Sequence, residues 1–378
     1  MKIRTALFLA SIVVLLPRVY AQNIELKPYG FVKGDASFTS AGVLSFTSPG
    51  ILAPQFATGV DTAMLGFTGQ HTRLGFKGST GDDIKVGGVI ELDFFTNVME
   101  ANLRPRLRLG YVWMTTGNFE LRIGQQWDLF SPNNPMTNNT NGNMWYGGNM
   151  GARRGQVQLS YKMPMEDVTP ALQIALCEGA QDPMLFDNMS LLPMLQGRVS
   201  ATFMKKYSIG AYFVNTTFAP KPDSSDFNYS SSGFGLDFSL PLHDLFNLHG
   251  EFNTGTNLFN SNMFTIAGAG MKDLDKKNTA LWLNVHSKVT DMVNVVVGFG
   301  MDKNNTDEMY IKAGDVLNNT VIYGDVIFPF KGGFSLTLEA LSITTEYKDG
   351  VVNIGGVPNR GDDKRSSLVL SLGGKLVF

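Results

Sequence analysis

The sequence predicts an all-β chain, a 16-stranded antiparallel up-and-down transmembrane β-barrel with short periplasmic turns and long extracellular loops. Three observations predict it. Segments of roughly ten residues, the length of a tilted membrane strand, alternate apolar with polar or charged residues. Tight joints alternate with long polar ones, the rhythm of such barrels. The last segment, Ser366 to Phe378, alternates in the same way and ends on an aromatic residue.

Residues 1–21 read as a separate leader. Lys2 and Arg4 precede an apolar run from Ala6 to Leu16, and Val19-Tyr20-Ala21 ends on a small residue. This is the pattern of a secretory signal peptide, which leaves residues 22–378 as one barrel. A membrane-anchoring helix needs roughly 20 apolar residues, and Pro17 and Arg18 end the run too early. The chain holds 31 Lys and Arg against 33 Asp and Glu. Removing the leader's cations leaves it more acidic, which argues against nucleic acid as a partner. Cys177 is the single cysteine, so no intramolecular disulfide can form.

The expected strands lie near 28–39, 70–80, 84–96, 104–116, 118–128, 153–163, 170–178, 196–205, 207–216, 230–240, 246–254, 278–288, 291–301, 318–330, 333–346 and 366–378. Tight turns are expected at 79–82, 115–118 and 330–333, where glycine or asparagine supplies positive φ. Long joints are expected at 40–69, 129–152, 179–195, 217–229, 255–277, 302–317 and 347–364. A soluble sandwich is the alternative. It would bury one strand face in a packed core and would not favour so charged an inner face.

Side-chain parity assigns the faces. In the first strand Lys33 and Asp35 point inward with Tyr29 and Phe31. The outward set is then Gly30, Val32, Gly34, Ala36 and Phe38, small enough for a subunit contact or else a local irregularity. In the third, Ile84, Val86, Gly88, Ile90, Leu92 and Phe94 face out, and Lys85, Gly87, Val89, Glu91, Asp93 and Phe95 face in. In the fourth, Leu103, Pro105, Leu107, Leu109, Tyr111 and Trp113 take the lipid face, and Arg104, Arg106, Arg108 and Gly110 the lumen. In the fifth, Phe119, Leu121, Ile123 and Trp127 oppose Glu120, Arg122, Gly124, Gln126 and Asp128. A charge facing lipid costs about 2–4 kcal/mol near the midplane, so the charged face is the wet one. The segments 291–301 and 318–330 alternate poorly. In the last strand Lys375 reads as a lumen residue, and Leu368, Leu370, Leu372, Gly374, Leu376 and Phe378 as the lipid or subunit face.

Several segments resemble a known family. Tyr29-Gly-Phe-Val-Lys-Gly-Asp35 and Thr72-Arg-Leu-Gly-Phe-Lys-Gly78 are similar to the opening strands of Gram-negative trimeric porins. Leu107-Arg-Leu-Gly-Tyr111 and Gly117-Asn-Phe-Glu-Leu-Arg-Ile-Gly-Gln-Gln-Trp-Asp-Leu-Phe130 resemble the strand pair before the porin third loop. The Gly124-Gln125-Gln126-Trp127-Asp128-Leu129-Phe130 segment resembles the dicarboxylate-selective, DcaP-like porins. Ala152-Arg-Arg-Gly-Gln-Val-Gln-Leu-Ser-Tyr161 is similar to the strand that resumes after that loop. The resemblance covers the N-terminal half and the last strand; residues 164–365 match only in rhythm.

The resemblance implies a homotrimer in the bacterial outer membrane, in contact with the lipid bilayer and lipopolysaccharide. It implies a C-terminal segment ending at Phe378 that the barrel assembly machinery recognises. It implies passage of small anionic or neutral solutes through a lumen narrowed by an inward-folded third loop. Residues 129–152 take that position, with Asn133, Asn134, Met136, Asn139, Trp145 and Tyr146 as its constriction residues. From Ser131 to Gly148 the loop carries no charge, unlike the acidic loop of many general porins.

Arg104, Arg106 and Arg108 are the leading functional candidates. Period-2 spacing puts them on one face, roughly 7 Å apart. Arg73, Lys77, Arg122 and Arg153 or Arg154 extend the basic wall. Arginine stays charged and can grip a carboxylate or phosphate with two parallel bonds. Hairpin geometry sets Asp93 opposite Arg106, Glu91 opposite Arg108, Arg73 near Glu91 and Arg106 near Asp128. Two readings therefore stand: anion contacts, or structural partners of the lumen acids Glu91, Asp93, Glu120 and Asp128. A dedicated dicarboxylate channel with a definite binding site is the second reading within the class. An outer-membrane lipase is the rival from another class, and it lacks a nominated Ser and His pair. His71, His243, His249 and His286 are scattered without metal-ligand spacing. Asp302 to Glu308 lacks the glycine and distant glutamate of a calcium loop. No cofactor and no metal is expected.

Overall fold

The structure, a computed structural model, describes residues 24–41, 62–95, 104–139, 144–179, 193–218, 229–243, 245–270, 273–350, 352–354, 357–359 and 364–378. The leader expected over residues 1–21 lies outside them.

Strand follows strand with antiparallel neighbours. The barrel opens with β1 (Glu25–Thr39), β2 (Met64–Thr68), β3 (Arg73–Thr80), β4 (Ile84–Asp93), β5 (Arg106–Thr116) and β6 (Phe119–Trp127). It continues through β7 (Arg153–Lys162), β8 (Val168–Cys177), β9 (Met194–Phe203), β10 (Tyr207–Phe218), β11 (Tyr229–His243) and β12 (Phe246–Thr256). The wall ends with β13 (Lys277–Thr290), β14 (Val293–Asn304), β15 (Val316–Pro329), β16 (Phe334–Tyr347) and β19 (Lys364–Val377). A small hairpin, β17 (Val352–Ile354) and β18 (Val357–Asn359), interrupts the last long connection.

β2 and β3 both pair with β1 and act as one interrupted wall strand, so the closed barrel has sixteen strands. β1 also pairs with β19, from Phe31↔Val377 to Thr39↔Val369. Phe378 completes the seam: its N–H donates to the Gly30 carbonyl at 3.1 Å, and the Gly30 N–H donates to the Phe378 carbonyl at 3.2 Å. Closure leaves the barrel sheet, among the described residues, without an unpaired edge.

The parity expected for β1, β4 and β19 holds. Lys33, Asp35, Glu91, Asp93 and Ser371 are buried inward, while Val32, Ile90, Leu370 and Leu372 are exposed outward. Several sequence assignments need correction, three of them in the opening strands. The second wall strand begins at Met64 and breaks between Thr68 and Arg73; the Phe94 N–H bonds the Gln70 carbonyl at 3.2 Å across the break. Arg104 lies outside β5, exposed at its rim.

The third correction concerns β5. Glu91 pairs with Leu109 but Leu92 with Leu107, so Arg108 is an extra residue. Such a bulge reverses the alternation beyond it. Leu109 and Tyr111 therefore line the lumen, Trp113 packs over Gly87, and Val112 faces out. Gln125 donates through Nε2 to the Leu107 carbonyl at 2.7 Å and the Arg108 carbonyl at 3.2 Å, which satisfies the disturbed ladder.

The poorly alternating segments also have a reason. In β14 and β15, Val296, Val321 and Tyr323 are buried inside while Val297 and Ile322 are exposed outside. Both faces are apolar because a loop covers the inner one. Met144 packs there with Trp282, Leu341, Ile343 and Val369. A second cluster gathers Leu129, Phe130, Met150, Met194, Tyr212, Leu258 and Met263. Strands covered on both faces lose the period-2 signal.

Candidate functional site

The connection from β6 to β7 turns into the lumen and is held there by wall side chains that accept its backbone donors. Gln196 Oε1 accepts from the N–H groups of Leu129 and Phe130 at 2.8 and 3.0 Å. Glu251 accepts from Ser131 Oγ at 2.5 Å, from the Asn133 N–H at 2.6 Å and from Trp282 Nε1 at 3.1 Å. Asn284 Oδ1 accepts from the Met136 N–H at 3.2 Å, and Glu339 Oε2 from the Asn138 N–H at 2.6 Å. On the return, Asn253 donates to the Gly148 carbonyl at 3.4 Å and Asn319 to the Tyr146 carbonyl at 2.7 Å. Gly300 and Gly373 let the loop seat this closely: a Cβ on either would collide, the first with the Gly147 carbonyl and the second with Asn138.

The loop residues expected at the constriction are thus spread along one path. Asn133 and Met136 anchor it, and Asn134 lines a cavity with Arg122. Asn139 is buried, its carbonyl accepting from Thr137 Oγ1 at 3.0 Å. Trp145 and Tyr146 pack against Phe264. Residues 140–143 lie outside the described residues.

Opposite the loop stands the basic wall, and its cations fall into two groups. Arg108 and Arg154 are buried and paired. Arg108 bonds Glu91 at 2.7 Å and Asp93 at 2.9 Å. Arg154 bonds Asp128 through Nε and Nη2 at 2.8 Å each, and donates to the Ser261 carbonyl at 2.9 Å. The other cations are more open. Arg106 bonds both Asp93 oxygens, at 2.9 and 2.8 Å, yet its side chain is 35% exposed. Arg122 meets Glu120 at 2.9 Å and is 34% exposed. Arg73 lies 3.6 Å from Glu91. Lys77 is exposed beside Tyr29, toward the short-turn end of the barrel.

Of the four expected charge pairings, Arg106–Asp93, Arg108–Glu91 and Arg73–Glu91 form. Arg106 does not reach Asp128, which Arg154 takes instead. The bulge explains part of this, because it ends the simple register between β5 and β6 on that side. Strand parity places Trp127 toward lipid. It lines the inner cavity instead, with Arg153 4.9 Å and Arg108 5.8 Å from its ring centroid.

The cavity between loop and basic wall measures about 240 Å³ and is lined by Tyr111, Arg122, Trp127, Asn134, Gln158, Gln173 and Arg198, among others. Arg198, bonded to Asp237 at 2.7 and 2.9 Å, is not among the cations expected from the sequence. Its signal was present: Met194, Gln196, Arg198 and Ser200 share one strand face. A second loop also enters the lumen between β12 and β13, and nothing in its composition marked it. Its Phe264 N–H bonds the Met150 carbonyl at 3.4 Å, and its Ile266 N–H bonds Asp302 at 2.9 Å.

No protein-family model matches the sequence, and no curated protein does either. Solved structures do match. The outer membrane channel DcaP of Acinetobacter baumannii is 18% identical, with a TM-score of 0.74 over 95% of this chain and 99% of that one. The anion-selective porin from Comamonas acidovorans is 14% identical, with a TM-score of 0.62 over 94% of this chain and 100% of that one. The trimer form of OmpT, an outer membrane protein of Vibrio cholerae, is 11% identical, with a TM-score of 0.59 over 94% and 100%. At these identities the likeness is one of fold, and it runs the length of this chain's sixteen-stranded barrel.

Proposed function

We propose that the protein is an outer-membrane porin, a passive diffusion channel for small hydrophilic solutes with a preference for anions. The supporting observation is an asymmetry of access. On the loop side the carboxylates Glu251, Asp302, Asp325 and Glu339 are 2%, 0%, 2% and 3% exposed, covered by the inward loops. On the other side Arg106 and Arg122 remain about a third open to the lumen. A permeating ion therefore meets an uncharged loop and a wall on which Arg106 and Arg122 are more open than their partners, Asp93 at 0% and Glu120 at 26%. Several weak cation sites in series suit conduction, since each attracts an anion without retaining it. No bond is made or broken; loop and wall exclude by size, and the arginines select by charge.

The test is the reversal potential across a planar bilayer under a salt gradient. The expected sign is that of an anion-preferring pore, and neutralising Arg122 and Arg198 together should move it toward zero. A cation-preferring wild type would overturn the charge assignment.

A second reading, a dedicated dicarboxylate or organic-anion channel, has one observation in its favour. Arg153 stacks on Trp127 with Nη1 buried and without a hydrogen-bond partner. A buried unsatisfied donor calls for a partner the chain does not supply. Concentration-dependent current blocking by a short dicarboxylate is expected on this reading, and its absence returns the general pore.

The partners proposed are a homotrimer, lipid and lipopolysaccharide around it, and the barrel assembly machinery at Phe378. The support for the trimer is a trough of about 610 Å³ outside β1 and β19, where Gly34, Ala36 and Gly374 leave room beside Phe67, which is 77% exposed. Phe67→Ser should release monomers on native sizing in mild detergent; an unchanged size removes this contact from the reading.

A further inference from the structure

A row of aromatic rings crosses the lumen. It starts at the break between β2 and β3, where His71 lies 5.4 Å from Phe95, centroid to centroid. Phe95 meets Trp145 of the β6–β7 loop edge-on at 5.8 Å and 80°. Trp145 stacks face to face on Phe264 of the β12–β13 loop, at 4.0 Å and 12°. Tyr146 meets Phe264 edge-on at 6.2 Å and 89°. Four separate segments of the chain contribute, and only the Trp145 and Tyr146 segment belongs to the constriction loop.

Two members of the row, Phe95 and Phe264, are fixed to different walls. Phe95 directly follows β4 and carries the Arg106 guanidinium 4.8 Å over its ring. Phe264 sits in a connection tied to β14 through Ile266 and Asp302, and to β7 through Ser261 and Arg154. Its neighbour Met263 is buried in the same cluster as Leu129 and Phe130, at the base of the constriction loop. His71, Phe95 and Trp145 are 3%, 3% and 6% exposed, so no solute passes between them.

We propose that Trp145 and Phe264 form a plug shared by two loops, which closes one side of the lumen and confines permeation to the side lined by the arginines. The β12–β13 loop is then half of the constriction, and Phe264 is a residue that determines the size limit. This rests on the reading of the protein as a diffusion channel. Aromatic contact beyond area burial holds such pairs together. Sealing one route forces each solute past the open cations.

The experiment compares wild type with Phe264→Ala, Trp145→Ala and the double variant, each first checked for a folded barrel by heat-modifiable gel migration. Single-channel conductance and the largest neutral sugar admitted in liposome swelling are then measured. Each single change should raise both quantities. The double change should add little to either single one, because residues acting as one unit are not additive. Phe264→Tyr keeps the stacked ring and should behave as wild type; it also serves if the alanine variants fail to fold, when Phe264→Leu replaces them as the ring-deleting variant. Ring-deleting variants that fold but leave conductance and size limit unchanged overturn the plug. A wild type that conducts nothing overturns the diffusion reading itself, and the plug with it. A conducting wild type with unresponsive variants sinks the plug alone.

Discussion

Arg154 grips Asp128 with Nε and Nη2, and the same guanidinium reaches the Ser261 carbonyl at 2.9 Å. One buried ion pair thus ties the end of β6, the start of β7 and the second inward loop together. Removing one partner strands the other. Asp128→Ala is expected to cost about 3–5 kcal/mol, the usual penalty for an uncompensated buried charge. Denaturant unfolding in detergent measures it. If stability holds while ion selectivity shifts, Arg154 is a solute contact and not a structural one.

Glu251 accepts from three donors, the loop's Ser131 and Asn133 and Trp282 of β13. Glutamine has one acceptor oxygen and cannot serve them all. Glu251→Gln should leave at least one donor unsatisfied, at about 1–3 kcal/mol. Loosening is expected as greater open-channel noise and faster proteolysis within 129–152. A quiet channel with an intact loop would show that Gln196, Asn284 and Glu339 are sufficient anchors.

Gln125 bonds the two carbonyls disturbed by the β5 bulge. Gln125→Leu leaves them without that donor, close to lipid. The expected loss is about 1–3 kcal/mol for a polar group left unsatisfied where lipid supplies no partner. An unchanged unfolding midpoint would mean that the bulge is held by other contacts.

Outside the wall strands, Lys348 lies 2.6 Å from Glu308 and holds that carboxyl below its ordinary range, through the hydrogen bond first and the charge second. A carboxyl whose folded value is depressed adds stability above its unfolded value and loses it as pH falls through the depressed one. The tie between these two loops should therefore survive mild acid and fail only below the usual carboxylate range. A carbon NMR titration of Glu308 reads the midpoint. A midpoint at or above the ordinary glutamate value removes the tie.

Much of this was legible in the chain. Alternation in β4 and β6 gave Glu91, Asp93 and Arg122 their inward faces, because a charge on the lipid side is costly and the strand period is two. Phe378 marked the closing strand for the same reason. The limits of that signal are physical too. Parity carries no notice of an inserted residue, so the bulge at Arg108 reversed Leu109, Tyr111 and Trp113. Nor does parity work where both strand faces are apolar, as in β14 and β15, since the cause is a loop packed from elsewhere.

By itself the sequence determined the barrel, its strand number and the side on which its charges lie, all of which follow from local period and turn chemistry. Only the tertiary structure decided which charges remain open. Arg108 and Arg154 are consumed by Glu91, Asp93 and Asp128, while Arg106 and Arg122 stay partly exposed. That division depends on contacts between residues far apart in the chain. The stacking of Trp145 on Phe264 has the same origin, since a local pattern cannot say where two distant loops will meet.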